Sequence, residues 1–186
     1  NKLPEEVPTH FDFSGTPDGY SGRLFAVVGL PLFILACHLF SAVVTCADPK
    51  KQNISEKLMN IVLWICPVVS LYANAMVYSY ALGYAINAAR AGTFLVGILF
   101  VVVGNYLPKC RQSYTVGIKL PWTLDDEDNW YHTHRFAGCV WMILGLAILI
   151  IGLLGSFPSV LLAAPIVAVV LPTVYSFVYA KRHGKA

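Results

Sequence analysis

His10, Asp12 and Asp18 place one imidazole and two carboxylates on a short stretch near the start of the chain, a donor set that suits zinc or manganese. The stretch is rich in turn formers and lacks the repeated histidine spacing that enforces a coordination geometry. The expectation is therefore no metal, with His10 and Asp18 hydrogen-bonding the turn backbone instead. A second group, His132 and His134 with Glu127 or Asp128, offers general acid–base chemistry or a His-x-His metal pair. Histidines two apart point to different faces of a helix, which is poor for chelation. Glycine-rich phosphate loops, a Ser–His–Asp order and an HExxH signature are all missing from the sequence. No catalytic residue and no cofactor are expected. His38 and Asn74 interrupt long apolar runs. An ionisable residue inside a membrane span is a functional candidate by default. The simpler reading is a hydrogen bond between His38 and Asn74, worth about 1 kcal/mol or less in a membrane.

The elements that must position these groups are membrane helices. Of 186 residues, 57% are hydrophobic and 12% charged, with a mean hydropathy of +0.64. A soluble domain carries about 25% charged residues. A span needs roughly 20 apolar residues, and five such runs are present: about Leu24–Cys46, Leu58–Tyr84, Ala91–Leu107, Phe136–Leu154 and Pro158–Ala180. Lipid-facing backbone must close its own hydrogen bonds, so the runs are helices and the fold class is an all-α membrane bundle. Pro31, Pro67, Pro165 and Pro172 are expected to kink their spans. Gly92, Gly97 and Gly104, with Gly138, Gly145 and Gly152, are expected to mark close helix approaches.

Basic residues orient the bundle. Lys50, Lys51, Lys57, Lys109, Arg111, Lys119, Arg135, Lys181, Arg182 and Lys185 fall on one side; Lys2, Arg23 and Arg90 fall on the other. The positive-inside rule makes the richer side cytoplasmic. Four segments follow: an extracellular turn-rich stretch at 1–22, helices one to three at 23–107, a cytoplasmic aromatic loop with an amphipathic helix at 108–135, and helices four and five with a basic tail at 136–186. No signal peptide accounts for export of the first segment, so a further helix is expected upstream, giving six spans in the full-length protein. The five cysteines include no CxxC pair, which argues against thiol oxidoreductase chemistry and for small apolar packers. No basic stripe interleaved with aromatics indicates direct contact with nucleic acid.

In the first segment Val7, His10, Phe11 and Phe13 predict a short extended element, and Pro17-Asp18-Gly19 a turn. Together they are expected to form a lid over the outer mouth of the bundle. In the long loop, Tyr114, Trp122, Trp130 and Tyr131 are spaced for the membrane–water boundary. Thr123 followed by Asp125, Asp126 and Glu127 reads as a helix N-cap with acids in the first turn. That helix should run through Trp130 and His134, which share a face, into span four. Asn105, Trp122, Thr123, His134 and Arg135 are expected to form a hydrogen-bonded junction between spans three and four.

These motifs carry a family resemblance. Gly104-Asn105-Tyr106, Pro108 and Lys109, Gly117-Ile118, Pro121-Trp122-Thr123-Leu124 and Trp130-x-x-Thr133-His134-Arg135 resemble the signature of the SdpI family of bacterial membrane proteins. Pro8-x-His10-Phe11 and Gly15-x-Pro17-Asp18-Gly19 resemble the short module that commonly precedes it. Departures are modest: Ser113 stands where an Asn is often seen, and Leu120 in place of a common Thr. The resemblance implies a bacterial inner-membrane protein that gives immunity to a secreted, membrane-active peptide toxin. It also implies a partner beyond lipid and toxin, a cytoplasmic repressor held at the membrane. His10, Phe11, Asp12, Asp18 and Tyr20 are then the candidates for toxin contact, and the inner loop motif for the repressor. Two rival classes are a membrane enzyme built on His132, His134 and Glu127, and a small transporter with His38 or Asn74 along its path.

Overall fold

The computed structural model describes residues 2–12, 14–155 and 158–184, without the side chains of residues 158 and 159; Phe13 and Lys185, used above, lie outside that set. The chain is a multi-pass, all-α membrane protein with one small hairpin. Strands β1 (Glu6–Phe11) and β2 (Pro17–Gly22) pair antiparallel. Among the described residues six α-helices follow: α1 (Leu30–Cys46), α2 (Glu56–Ala81), α3 (Ala88–Tyr106), the short α4 (Pro121–Asp125), α5 (Glu127–Leu154) and α6 (Pro158–Arg182). All but α4 form runs long and apolar enough to cross a bilayer.

Local chemistry sets the helix ends. Ser55 caps α2 by accepting from the Leu58 N–H at 3.4 Å, and Asn87 caps α3 by accepting from the Arg90 N–H at 2.9 Å. Pro31 falls at the start of α1, and the turn before it, Phe25–Gly29, widens to π geometry. Within that turn the Leu30 N–H donates to the Phe25 carbonyl, and the Tyr78 hydroxyl of α2 donates to the Ala26 carbonyl at 3.2 Å. Pro172 leaves the Ala168 carbonyl without its usual donor, and the Trp141 indole N–H fills that role at 3.1 Å.

Helix α3 packs most extensively on α5, and α5 on α6. The core of this trio is Phe100, Ile148, Ala164 and Ala168, with the Phe100 and Trp141 rings stacked at 4.7 Å. Backbones meet where side chains are missing. A Cβ on Gly145 would lie 2.8 Å from the Val101 nitrogen, and one on Gly138 would lie 2.5 Å from Pro108 Cγ. Gly92 departs from this pattern, because a Cβ there would meet nothing within 4 Å.

Helices α1 and α2 form a separate pair that touches α3 sparingly, chiefly where the Tyr72 hydroxyl donates to the Ala91 carbonyl at 2.6 Å. The expected His38–Asn74 bond is not formed. The Asn74 amide turns back on its own helix, donating to the Ser70 carbonyl at 2.8 Å, and His38 Nδ1 is buried without a partner among the described residues. An intrahelical acceptor one turn away satisfies the amide without ordering a second helix.

Candidate functional site

Two polar regions stand at opposite ends of the bundle. At the end where α1 leads into α2 and α3 into α5, the connecting loops fold onto each other around Asp48. One carboxylate oxygen accepts from the Lys50 N–H at 2.7 Å, closing a local turn. The other accepts from the Tyr114 and Thr115 N–H groups at 3.0 and 2.9 Å and from the Thr115 hydroxyl at 2.6 Å. Burial opposes the charge, but the Thr115 hydroxyl and these backbone donors outweigh it and hold the carboxyl below its ordinary value of 3.8. Gln112 is the second knot. Its side chain accepts from the Lys50 ammonium and donates to the Thr123 and Leu124 carbonyls at 3.0 and 2.7 Å. Its own carbonyl accepts from Asn53 at 2.7 Å.

His134 lies beneath this knot, 1% exposed. Its Nε2 accepts from the Ile118 N–H at 2.8 Å, so its Nδ1 carries the proton and donates to the Trp130 carbonyl at 2.7 Å. Both ring nitrogens are engaged, and the neutral imidazole is the form that fits. The Trp130 ring stacks on it at 4.0 Å, while the Trp130 indole N–H donates to the Cys110 carbonyl at 2.9 Å. Gly117 completes the fit: its φ is +120°, and a Cβ there would lie 2.6 Å from His134 Nε2. Thr123 accepts from the Leu120 N–H at 2.9 Å, and its hydroxyl donates to the Ile118 carbonyl at 2.8 Å. Helix α6 joins through Ser176, whose hydroxyl accepts from Trp122 at 3.0 Å and whose carbonyl accepts from Asn129 at 3.0 Å.

Several expectations are corrected here. Asp126, not Thr123, caps α5, accepting from the Asp128 N–H at 3.2 Å; Thr123 lies within α4. Trp130 is 2% exposed and belongs to the buried knot rather than the lipid boundary, whereas Tyr114 and Tyr131 are half exposed. Trp122, Thr123 and His134 meet in the junction, but Asn105 and Arg135 do not. The exposed Asn105 accepts from Lys109 at 3.3 Å, and Lys109 also lies over the Tyr106 ring. Arg135 donates to the Tyr131 hydroxyl at 2.6 Å. Pro121 starts α4, and Pro108 packs on Gly138. His132 is exposed and stacks on Tyr179 at 5.2 Å, turned away from the buried His134. Cys110 is buried, which pushes its thiol up to about 11.

Asp48, Gln112, Asn129 and Ser176 are central to the junction and were not singled out from the sequence. Asp48-Pro49 has a turn signature that predicts the local bond to Lys50, but nothing in the sequence marks Thr115 as the distant partner. Asn129 and Thr133, one turn apart on α5, bond to each other at 2.9 Å; their spacing was the available signal.

At the other end the hairpin folds over α2 and α3. Asp12, not His10 or Asp18, holds the turn: its carboxylate accepts from the Ser14 and Thr16 N–H groups at 2.9 and 2.8 Å and from the Ser14 hydroxyl. The Ser14 hydroxyl first, then the Thr16 N–H, hold this exposed carboxyl below its ordinary range. His10 and Asp18 bond to each other across the strands at 2.5 Å, both exposed. Phe11 sets its ring edge against Tyr80 at 5.2 Å, while Tyr20 is 59% exposed. Arg90 ties this end together, its guanidinium capping α5 by donating to the Gly152 and Leu153 carbonyls at 2.9 Å each.

Residues 109–176 match a family described as the SdpI/YfhL protein family, and residues 1–35 match a domain of unknown function, DUF1648. The chain is similar to the immunity protein SdpI of Bacillus subtilis (strain 168). The two are 26% identical over 186 residues, covering 97% of this chain and 86% of that protein. No solved structure matches it.

Proposed function

We propose that this chain, which belongs to the SdpI family, is a membrane immunity protein that protects its cell from a secreted, membrane-active peptide. The observation that carries this reading is its similarity along nearly its whole length to a protein named for immunity. The two-ended architecture supports it. The asymmetry of basic residues supports a hairpin outside the cell membrane, and His10, Phe11, Asp12, Asp18 and Tyr20 are the residues we assign to peptide contact. The junction end then lies in the cytoplasm and presents Lys50, Lys109, Lys119 and Arg135 around exposed Tyr114 and Tyr131, a surface suited to an acidic face of a cytoplasmic repressor. Peptide binding shifts such a device only by its differential affinity for two arrangements. The separable α1–α2 pair is the element we assign to that change.

A non-enzymatic role fits the geometry better than the enzyme reading. Both nitrogens of His134 are used inside the fold and His132 faces away, so the imidazoles and Glu127 do not converge on a substrate position. The test is protection. A sensitive bacterium expressing the protein is challenged with the peptide toxin encoded nearest to its gene. Survival that depends on the protein, and drops for His10→Ala or Asp18→Ala at equal abundance, supports the proposal. Equal killing with and without the protein, by that peptide and by related membrane-active peptides, sinks it.

A further inference from the structure

Between α2 and α3, under the hairpin, lies an open cleft of about 470 Å³. Its walls include Tyr72 and Met76 on α2 and Leu95 and Val96 on α3, with Leu161 of α6 also lining it. Hairpin residues 9–12 line its polar edge. On α3 it reaches from Ala88 to Val96, about 12 Å at the helical rise. It therefore opens into one leaflet only.

Gly92 gives the cleft its shape. Gly145 and Gly138 are small because a neighbour would collide with a side chain, whereas a Cβ on Gly92 would enter empty space. Gly92 lines the cleft, so its missing side chain widens the cavity and serves no helix contact. Met76 stands among the lining residues on α2, an unbranched and adaptable side chain that conforms to different apolar surfaces.

Charge at this end selects the occupant. Glu5, Glu6, Asp12 and Asp18 are all exposed, against Lys2, Arg23 and Arg90. The Arg23 guanidinium donates to the Leu3 carbonyl at 3.1 Å, and that of Arg90 caps α5. The hairpin end thus has four carboxylates for three Lys and Arg side chains, with His10 on Asp18, in a chain whose overall charge is +3, and Asp12 is directly on the edge of the cleft. A lipid phosphate would meet like charge there, whereas a cation would meet opposite charge.

We infer that the α2–α3 cleft receives the apolar face of a cationic, amphipathic peptide segment, whose basic side chains lie against Asp12 and Asp18 of the hairpin. This rests on the immunity reading for the biological origin of the peptide, but not for the chemistry of the site. Apolar burial supplies the affinity and the carboxylates supply orientation, because exposed ion pairs contribute little by themselves.

The test uses the whole protein in phosphatidylcholine nanodiscs, with a small photoreactive diazirine side chain, close to methionine in size, at Met76. The probe is a synthetic amphipathic helical peptide of leucine and lysine, compared with its leucine–glutamate counterpart and with empty discs. The expected result is a covalent adduct with the lysine peptide at Met76, and none from the same diazirine at the exposed Leu71, outside the cleft. Gly92→Leu should weaken binding about tenfold or more without lowering the melting temperature. Asp12→Asn with Asp18→Asn should weaken it a few-fold and remove its salt dependence. If Gly92→Leu fails to accumulate, Met76→Trp fills the cavity from the opposite wall.

Adducts with phosphatidylcholine alone, equal binding of the glutamate peptide, or full binding by a folded cavity-filling variant would each overturn the inference. The toxin challenge separates the two readings. Wild-type protection retained in Gly92→Leu leaves immunity standing and removes the cleft, while a wild type that gives no protection removes immunity whatever the nanodiscs show.

Discussion

Asp48 concentrates four donors from two loops on one carboxylate, which makes it the residue whose loss the junction tolerates least. Asp48→Ala leaves three partly buried N–H groups without their acceptor and should lower stability by about 2 kcal/mol, read as a drop in melting temperature in detergent. The same group sets a pH dependence with a defined sign. Its folded-state pKa lies below the ordinary 3.8. Its contribution is therefore complete above that value and declines as pH falls from there through the folded-state pKa. The acid-side loss of melting temperature should be smaller in Asp48→Asn than in the wild type; identical acid profiles would refute the assignment. His134 is a structural histidine by the same accounting. His134→Ala removes an acceptor, a donor and a stacked ring, so folded protein should fall by about 3 kcal/mol of stability. Loss of protection in that variant should track loss of folded protein.

At the level of helices, α3 and α5 are bound by close backbone approach, and α5 and α6 by an indole hydrogen bond beside Pro172. Trp141→Phe should cost about 1 kcal/mol, because it strands the Ala168 carbonyl. Pro172→Ala restores a backbone donor for that carbonyl, so the tryptophan substitution should cost less in that background. A double-mutant cycle on thermal stability reads the difference directly, and strictly additive costs would show that the indole bond does not replace the missing N–H. Pro31 and Pro172 were readable in the sequence as positions without a backbone donor, but what supplies a donor beside each was not. The Tyr78 hydroxyl near one proline and the Trp141 indole at the other come from neighbouring helices, and no local pattern marks either.

The whole molecule is two helix groups joined by a hydrogen-bonded floor and roofed by a hairpin. Its orientation is testable with a membrane-impermeant maleimide on cells whose native cysteines have been replaced. Asp18→Cys should label in intact cells, and Lys181→Cys only after permeabilisation. The reverse pattern would invert the placement of hairpin and junction and leave the peptide-facing assignment without a basis. The α1–α2 pair makes few contacts with α3 beside the Tyr72 bond, so a change in its position is the motion this architecture permits most cheaply.

The five spans were legible because a bilayer core of about 30 Å demands long apolar runs and helical backbone, constraints that composition alone can meet. The shared face of Trp130 and His134 followed from their four-residue spacing, and the close approach at Gly138 and Gly145 from the absence of a side chain. What contacts lay across the chain could not be read this way. Asp48 finds Thr115, Gln112 finds Thr123, and Gly92 faces a void while Gly145 faces a backbone. Residue type and spacing constrain a helix face, but polar satisfaction and empty space depend on which other segment the fold brings to that face.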